Sequence, residues 1–158
     1  MSAVAELPDP DTLEVEAILL ASEERPISKQ AVRTAVRIAK RSGAPVHVLA
    51  IARIWGTSLG FPNPGLYPSR SEWDKQRAIV DAAVRALERA GVEADGHVIG
   101  ARHATKRIVR EAIRLHCGAI VMGADEPRGR FVGNFMWSQE PQRVRRRAGV
   151  PVYLVAGS

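Results

Sequence analysis

Two apolar rhythms alternate along this chain. Short, mostly apolar runs occur at Val15–Ser22 (VEAILLAS), Val46–Ile51 (VHVLAI), Ala119–Met122 (AIVM) and Val150–Val155 (VPVYLV). Their length and aliphatic content suit strands buried on both faces. Glu93–Ile99 is a more polar stretch that fits a weaker strand. Between these runs the apolar residues take helical spacing. Ser28 is placed to cap a helix that runs to about Arg41, with Ala31, Val32, Ala35, Val36, Ile38 and Ala39 on one side and Lys29, Arg33, Arg37 and Lys40 on the other. Ser42-Gly43 stops it. Ser71-Glu-Trp-Asp74 resembles a capping box opening a second helix, whose stripe is Trp73, Val80, Ala83, Val84 and Leu87 and whose end is Gly91. A third helix begins at Ala104 or Thr105, with Ile108, Val109, Ala112, Ile113 and Leu115 inward, and ends at Gly118. A last helix is expected over roughly 140–148.

The predicted order is βαβαβαβαβ. Strands alternating with helices form a parallel sheet covered on both faces, so the expected fold class is α/β, doubly wound and Rossmann-like, with five strands. In such sheets ligands bind at the carboxyl ends of the strands, where the strand order reverses. That singles out the loops 22–27, 52–70 and 123–138. The segment Arg53–Arg70 is long and irregular, with Pro62, Pro64 and Pro68 among Gly56, Gly60 and Gly65; loops of this length inside a compact domain are often functional.

Composition narrows the picture. The chain has 158 residues, enough for one domain with one core. Residues 1–13, with Pro8 and Pro10 between acids, read as a loose tail, and 14–158 as the domain. One cysteine, Cys117, precludes a disulfide framework within the chain and agrees with a reducing compartment. The acidic start lacks the features of a signal peptide, and no apolar run is long enough to span a bilayer, so a cytoplasmic protein without membrane insertion is expected. Lys and Arg total 23 against 17 Asp and Glu, a net charge of +6 that favours anionic partners. The basic residues are spread over several helices, however, and no aromatic residue interleaves the run at Arg143, Arg145, Arg146 and Arg147, which argues against a nucleic-acid surface.

Catalytic chemistry is sparse. His47, His97, His103 and His116 show no metal-ligand spacing, and no GxSxG motif is present. His47 reads as a satisfied strand histidine and Cys117 as a small buried hydrophobe. Of eight aromatic residues, seven fall in two segments, Trp55–Trp73 and Phe131–Trp137, both leaving the carboxyl side of the expected sheet. They either pack on one another or line a pocket for a planar ligand.

The order of elements, with ILLAS, VHVLAI, GAIVMGAD and a closing GVPVYLV, resembles the universal stress protein family over about residues 15–156. The resemblance implies an adenine nucleotide alpha hydrolase-like fold and a stress-response or regulatory module. It implies an ATP site, with Mg²⁺ if ATP binds, at the carboxyl ends of strands one, two and four. In ATP-binding members the loop after strand four reads Gly, two residues, Gly, nine residues, then Gly and Ser or Thr. Glycines of this kind let backbone N–H groups approach phosphate.

Gly123 takes the first place in that pattern, and with one extra residue Ser138 takes the Ser/Thr place. Glu126 and Trp137 stand where the second and third glycines belong: a carboxylate that repels phosphate and an indole that fills open space. Arg128 and Arg130 offer compensating charge, and Gly129 and Gly133 keep the loop supple. Glu23 stands where the family often has Asp, and Ile51 or Ala50 and Met122 lie near the adenine by the same resemblance. The candidate nucleotide-binding residues are therefore Glu23, Ile51, Met122, Gly123, Arg128, Gly133 and Ser138.

The resemblance also implies a homodimer through the last strand, Val150–Val155, where Pro151 suits a sheet edge. The activity implied is binding rather than catalysis, with at most slow ATP hydrolysis. The alternative is a nucleotide-free homodimer acting on a protein partner, a membrane protein being conceivable because family members occur fused to transporters.

Overall fold

A computed structural model describes residues 7–54, 68–124, 144 and 147–156. Most of the 53–70 loop, the glycine-rich loop beyond Ala124 and most of the expected last helix lie outside the described residues. In chain order the elements are β1 (Ile18–Glu23), α1 (Lys29–Ser42), β2 (Val46–Arg53), α2 (Arg70–Arg89), β3 (Ala94–Ala101), α3 (Ala104–Arg114), β4 (Ala119–Ala124) and β5 (Val152–Ala156). The strands form one sheet in the order β3-β2-β1-β4-β5, every described pairing being parallel. This is the expected doubly wound α/β architecture.

The register explains the burial. Ile18 faces Val46 on one side and Ala119 on the other, and Ala21 faces Leu49 and Met122. Being central, β1 is buried along its whole length, which is why ILLAS carries no polar alternation. Alternate residues serve two cores. Ile18, Leu20, Val46, Val48 and Val121 meet Ala35 and Ile38 of α1 and Val80 and Leu87 of α2. Leu19, Leu49, Ile51, Ile120 and Met122 meet Ala104, Ile108 and Ala112 of α3. The sequence of crossovers accounts for the sides: β1 to β3 step one way along the sheet and β4 to β5 the other, so right-handed connections put α1 and α2 on one face and α3 on the opposite one.

Helix ends follow local chemistry. Ser28 Oγ accepts from Ala31 N–H at 3.1 Å, and Gly43 closes α1 in the left-handed region at φ 64°. The start of α2 lies two residues before the expected Ser71: Ser69 is the cap, its Oγ accepting from Glu72 N–H at 3.2 Å. The capping box is Ser69-Arg-Ser-Glu72, with the glutamate at the position that completes it.

Two further points concern the expected elements. Residues 7–13, within the stretch read as a loose tail, make contacts with the domain. Leu7 and Leu13 pack against the first core, Arg37 donates to Asp11 through Nε at 2.9 Å and Nη2 at 2.6 Å, and Tyr153 Oη donates to the Pro8 carbonyl at 2.6 Å. The acids taken as solvating the segment are its attachment points. Ile113, expected inward on α3, is 71% exposed, and Glu111 takes the buried place. Ile108, Glu111 and Ala112 share one face at spacings of three and four residues, and Ile113 is turned about 100° from Ala112.

The Glu111 carboxylate is held by Arg114 Nη2 at 2.7 Å, with His97 Nε2 at 3.4 Å and Arg107 Nη2 at 3.5 Å. The Arg114 hydrogen bonds hold its pKa below the ordinary carboxylate value, against the opposing effect of desolvation. A lowered folded-state pKa gives stability that is present above the unfolded value and lost as pH falls through the folded one. Arg114 is more than half exposed, so screening limits the contribution. Glu111→Gln is expected to cost about 1 kcal/mol near neutral pH. Urea unfolding of both proteins along a pH series should show that gap closing as the acid range is entered; a gap that does not depend on pH would contradict this account.

Candidate functional site

The strand order reverses at β1, whose neighbours β2 and β4 lead the chain in opposite directions. The carboxyl ends of β1 and β4 therefore border the crevice that this fold offers a ligand. β1 ends at Glu23, and the chain turns at once: Glu24 takes a left-handed φ of 54°, and Ser22 Oγ donates to the Arg25 carbonyl across the turn. A non-glycine residue in that region marks a tightly constrained turn. It is followed by Ser28 and the first turn of α1.

Glu23 is the chemical centre of this end of the sheet. Its side chain is 3% exposed, and Oε1 accepts from Arg53 Nη1 at 3.0 Å. Arg53 closes β2, and its side chain is 30% exposed. Alternation puts Glu23 and Arg53 on the α3 face of the sheet, above Ala21 and Ile51. A buried carboxylate requires such a partner. On β4, Ala21 pairs with Met122, so Gly123 lies one step further along, beside the end of β1. Among the described residues, none comes within 4 Å of a Cβ built at Gly123; a glycine there leaves its backbone free of a side chain of its own.

The candidate residues thus divide. Glu23 and Gly123 are brought together at the reversal point. Ile51 and Met122 stand beneath them with side chains buried in the second core rather than exposed. Arg128, Gly133 and Ser138, with Glu126 and Trp137, lie outside the described residues. So do the aromatic residues of both segments except Trp73, whose ring is half-buried and packs over Gly100, 3.3 Å from where a Cβ would stand.

Three polar groups at the same end of the molecule were not singled out from sequence. Arg53 pairs with Glu23, as described. Gln76, in the second turn of α2, is fully buried, and among the described residues neither Oε1 nor Nε2 has a hydrogen-bond partner. Thr105, in the first turn of α3, is buried, and its hydroxyl likewise has no partner among the described residues. Both helices start on the carboxyl side of the sheet because each follows a strand that ends there. Buried polar atoms without partners are uncommon and call for a ligand, water or ion to satisfy them. A signal for Gln76 was present: it falls within the apolar stripe, three residues after Trp73 and four before Val80.

Nucleophilic and metal chemistry find little support. Cys117 is buried, and its thiol is pushed up to about 12, first by desolvation and then by the charges of Asp95 and Glu111; it is a poor thiolate at neutral pH. His47 Nδ1 lies 2.7 Å from Asp95 Oδ1, and His97 faces Glu111. Among the described residues no group of three or more His, Cys, Asp or Glu side chains converges to hold a metal ion.

A five-stranded parallel sheet in this order, with a buried acid at the end of β1 and a glycine near the end of β4, defines a doubly wound α/β domain. The family model of the universal stress protein family matches residues 14–156. The chain belongs to the universal stress protein family. Solved structures agree on the fold. The universal stress protein from Archaeoglobus fulgidus in complex with dAMP superposes with a TM-score of 0.66 at 20% identity, covering 90% of this chain and 98% of that one. A universal stress protein in complex with cAMP gives 0.65 at 18% identity, over 92% and 100% of the two chains. The universal stress protein UspA from Lactobacillus plantarum gives 0.65 at 18% identity, over 91% and 99%. No curated protein matches the chain.

Proposed function

We propose that this chain is a regulatory module that binds an adenine nucleotide, ATP foremost, in the crevice at the carboxyl ends of β1, β2 and β4. The observation that carries the reading is the juxtaposition of the buried Glu23 carboxylate and the Gly123 backbone, which no described side chain covers, where the strand order reverses. Glu23 would accept from a donor on the base, Ile51 and Met122 would floor the base site, and Gly123 would admit phosphate to the backbone, with Arg128, Gly133 and Ser138 completing the loop. Nucleotide complexes of two proteins of the same fold support this reading. Mg²⁺ would arrive with the phosphates of ATP. The module is a binder rather than an enzyme, with hydrolysis at most slow, and its setting is the cytoplasm. Among the described residues no helix is long and apolar enough to cross a membrane.

Thermal unfolding with and without ATP and Mg²⁺, with AMP in parallel, tests the reading. A ligand at about 100 times its Kd adds roughly 2.7 kcal/mol. At about 2–4 °C per kcal/mol for a domain of this size, the midpoint should rise by several degrees. Glu23→Ala should remove most of that rise. No rise with either nucleotide would overturn nucleotide binding.

A second reading draws on a different observation. Among the described residues β5 pairs only with β4, so its outer edge is unpaired. An apolar edge of this kind invites a second strand, and a homodimer through 150–155 would supply it. If nucleotides fail to bind while the protein sediments as a dimer, the nucleotide-free interaction module is the better account.

A further inference from the structure

Between α1 and α2, on the face of the molecule away from the sheet, runs a groove of about 1050 Å³. Its floor is apolar, with Val32 and Val36 from α1 and Ile79, Ala82 and Ala86 from α2. Its charged lining is entirely basic: Lys29, Arg33 and Arg37 along α1, and Lys75 and Arg89 towards the two ends of α2. The acids of α2 keep off it. Asp74, Asp81 and Glu88 recur every seven residues along another side of that helix, and none of them lines the groove. Here part of the chain's excess of basic residues borders an apolar floor.

Arg37 already displays the chemistry the rim selects. Its guanidinium holds the Asp11 carboxylate through two hydrogen bonds, with Asp9 Oδ1 at 3.9 Å. One turn further along α1, Arg41 Nη2 lies 3.6 Å from Glu14 Oε1. An acidic stretch of the chain itself is thus laid along α1 by carboxylate–guanidinium pairs. Lys29, Arg33, Lys75 and Arg89 have no ion-pair partner among the described residues.

We propose that the α1–α2 groove is a docking site for an acidic amphipathic helix of a partner protein. Such a helix would lay an apolar stripe on Val32, Val36, Ile79 and Ala82 and set its flanking carboxylates against the free cations of the rim. The shape favours a helix over a lipid surface. The apolar residues form the floor of a concavity walled by two helices, with the cations at its borders. A third helix, about 10 Å across, would lie along such a channel between two others, whereas a bilayer needs a convex or flat face to reach the apolar floor. Alanines at positions 78, 82, 86 and 90 leave room for close helix packing along α2. The site stands apart from the nucleotide crevice and does not depend on the nucleotide reading.

The test uses the full chain and two fluorescent peptides of the same composition. One places Leu at i, i+3, i+4 and i+7 with Glu beside them; the other scrambles that order. The amphipathic peptide is expected to bind, with affinity falling at least tenfold in Arg33→Glu/Arg89→Glu and in Ala82→Glu. Ala82 is exposed and Glu is a good helix former, so these variants should fold, which circular dichroism would verify. Lys106→Glu, on the opposite face, should bind like the parent. Absence of binding, equal binding of both peptides, or equal loss in Lys106→Glu overturns the proposal. So does binding to phosphatidylglycerol vesicles without binding to the amphipathic peptide, which would make the groove a membrane surface instead.

Discussion

Leu20→Ala is expected to lower the unfolding free energy by about 2–5 kcal/mol, while Ile113→Ala should change it by less than about 0.5 kcal/mol. Leu20 lies on the central strand with no exposed surface, between the paired residues Val48 and Val121 and under the helices of the first core. Truncating it removes transfer free energy and leaves a cavity that cannot collapse, because both flanking strands are fixed by their ladders. Ile113 is 71% exposed, and alanine is the better helix former. Both residues are aliphatic and both are expected inward from sequence, so the contrast isolates burial. Urea unfolding midpoints with unchanged slopes provide the readout. Comparable losses at the two positions would mean that α3 presents a different face to the sheet.

Gly96→Ala is expected to destabilise the protein by about 1–3 kcal/mol, although alanine is the less flexible residue and would ordinarily help. A Cβ at this position would come within 2.3 Å of Val80 Cγ1, with Val84 Cγ2 at 3.1 Å and the Val48 carbonyl oxygen at 3.2 Å. Val80 cannot swing aside, since a β-branched residue in a helix has one strongly preferred rotamer, and it is itself buried in the first core. The helix must therefore lift from β3 or the strand must shift. Gly123→Ala is the matched control, because its new methyl meets none of the described residues within 4 Å. Thermal midpoints should separate the two by about 2–4 °C for each kcal/mol; an unchanged midpoint in Gly96→Ala would show that α2 rides further from β3 than described.

These two substitutions also show what could be read before the structure. The parallel sheet was legible because β1, β2 and β4 are buried on both faces and therefore lack polar alternation. β3, one edge of the sheet, has Gly96 and Asp95 exposed and so announced itself only weakly. The place of the site was legible too, because topology alone fixes where the strand order reverses. The contacts within it were not. That Arg53 reaches Glu23 depends on the parallel register of β1 with β2, and no local pattern records that register. The inward turn of Glu111 was hidden for a related reason. Residue type argued for Ile113, and only three partners drawn from β3 and α3 make a carboxylate acceptable inside. The N-terminal segment misled because prolines and acids usually signal solvation, whereas here the acids meet Arg37 and Arg41.

One of those attachments sets an order of events during synthesis. The Tyr153 hydroxyl and the Pro8 carbonyl are 145 positions apart in the chain. Pro8 leaves the ribosome well before its hydrogen-bonding partner Tyr153 is made. β1, β2 and β3, together with α1 and α2, can assemble from residues 18–101 while the rest is still being made. The Arg37–Asp11 pair can form with α1, whereas the Pro8–Tyr153 hydrogen bond must wait for β5 to dock beside β4. That last fastening reports that the sheet is complete.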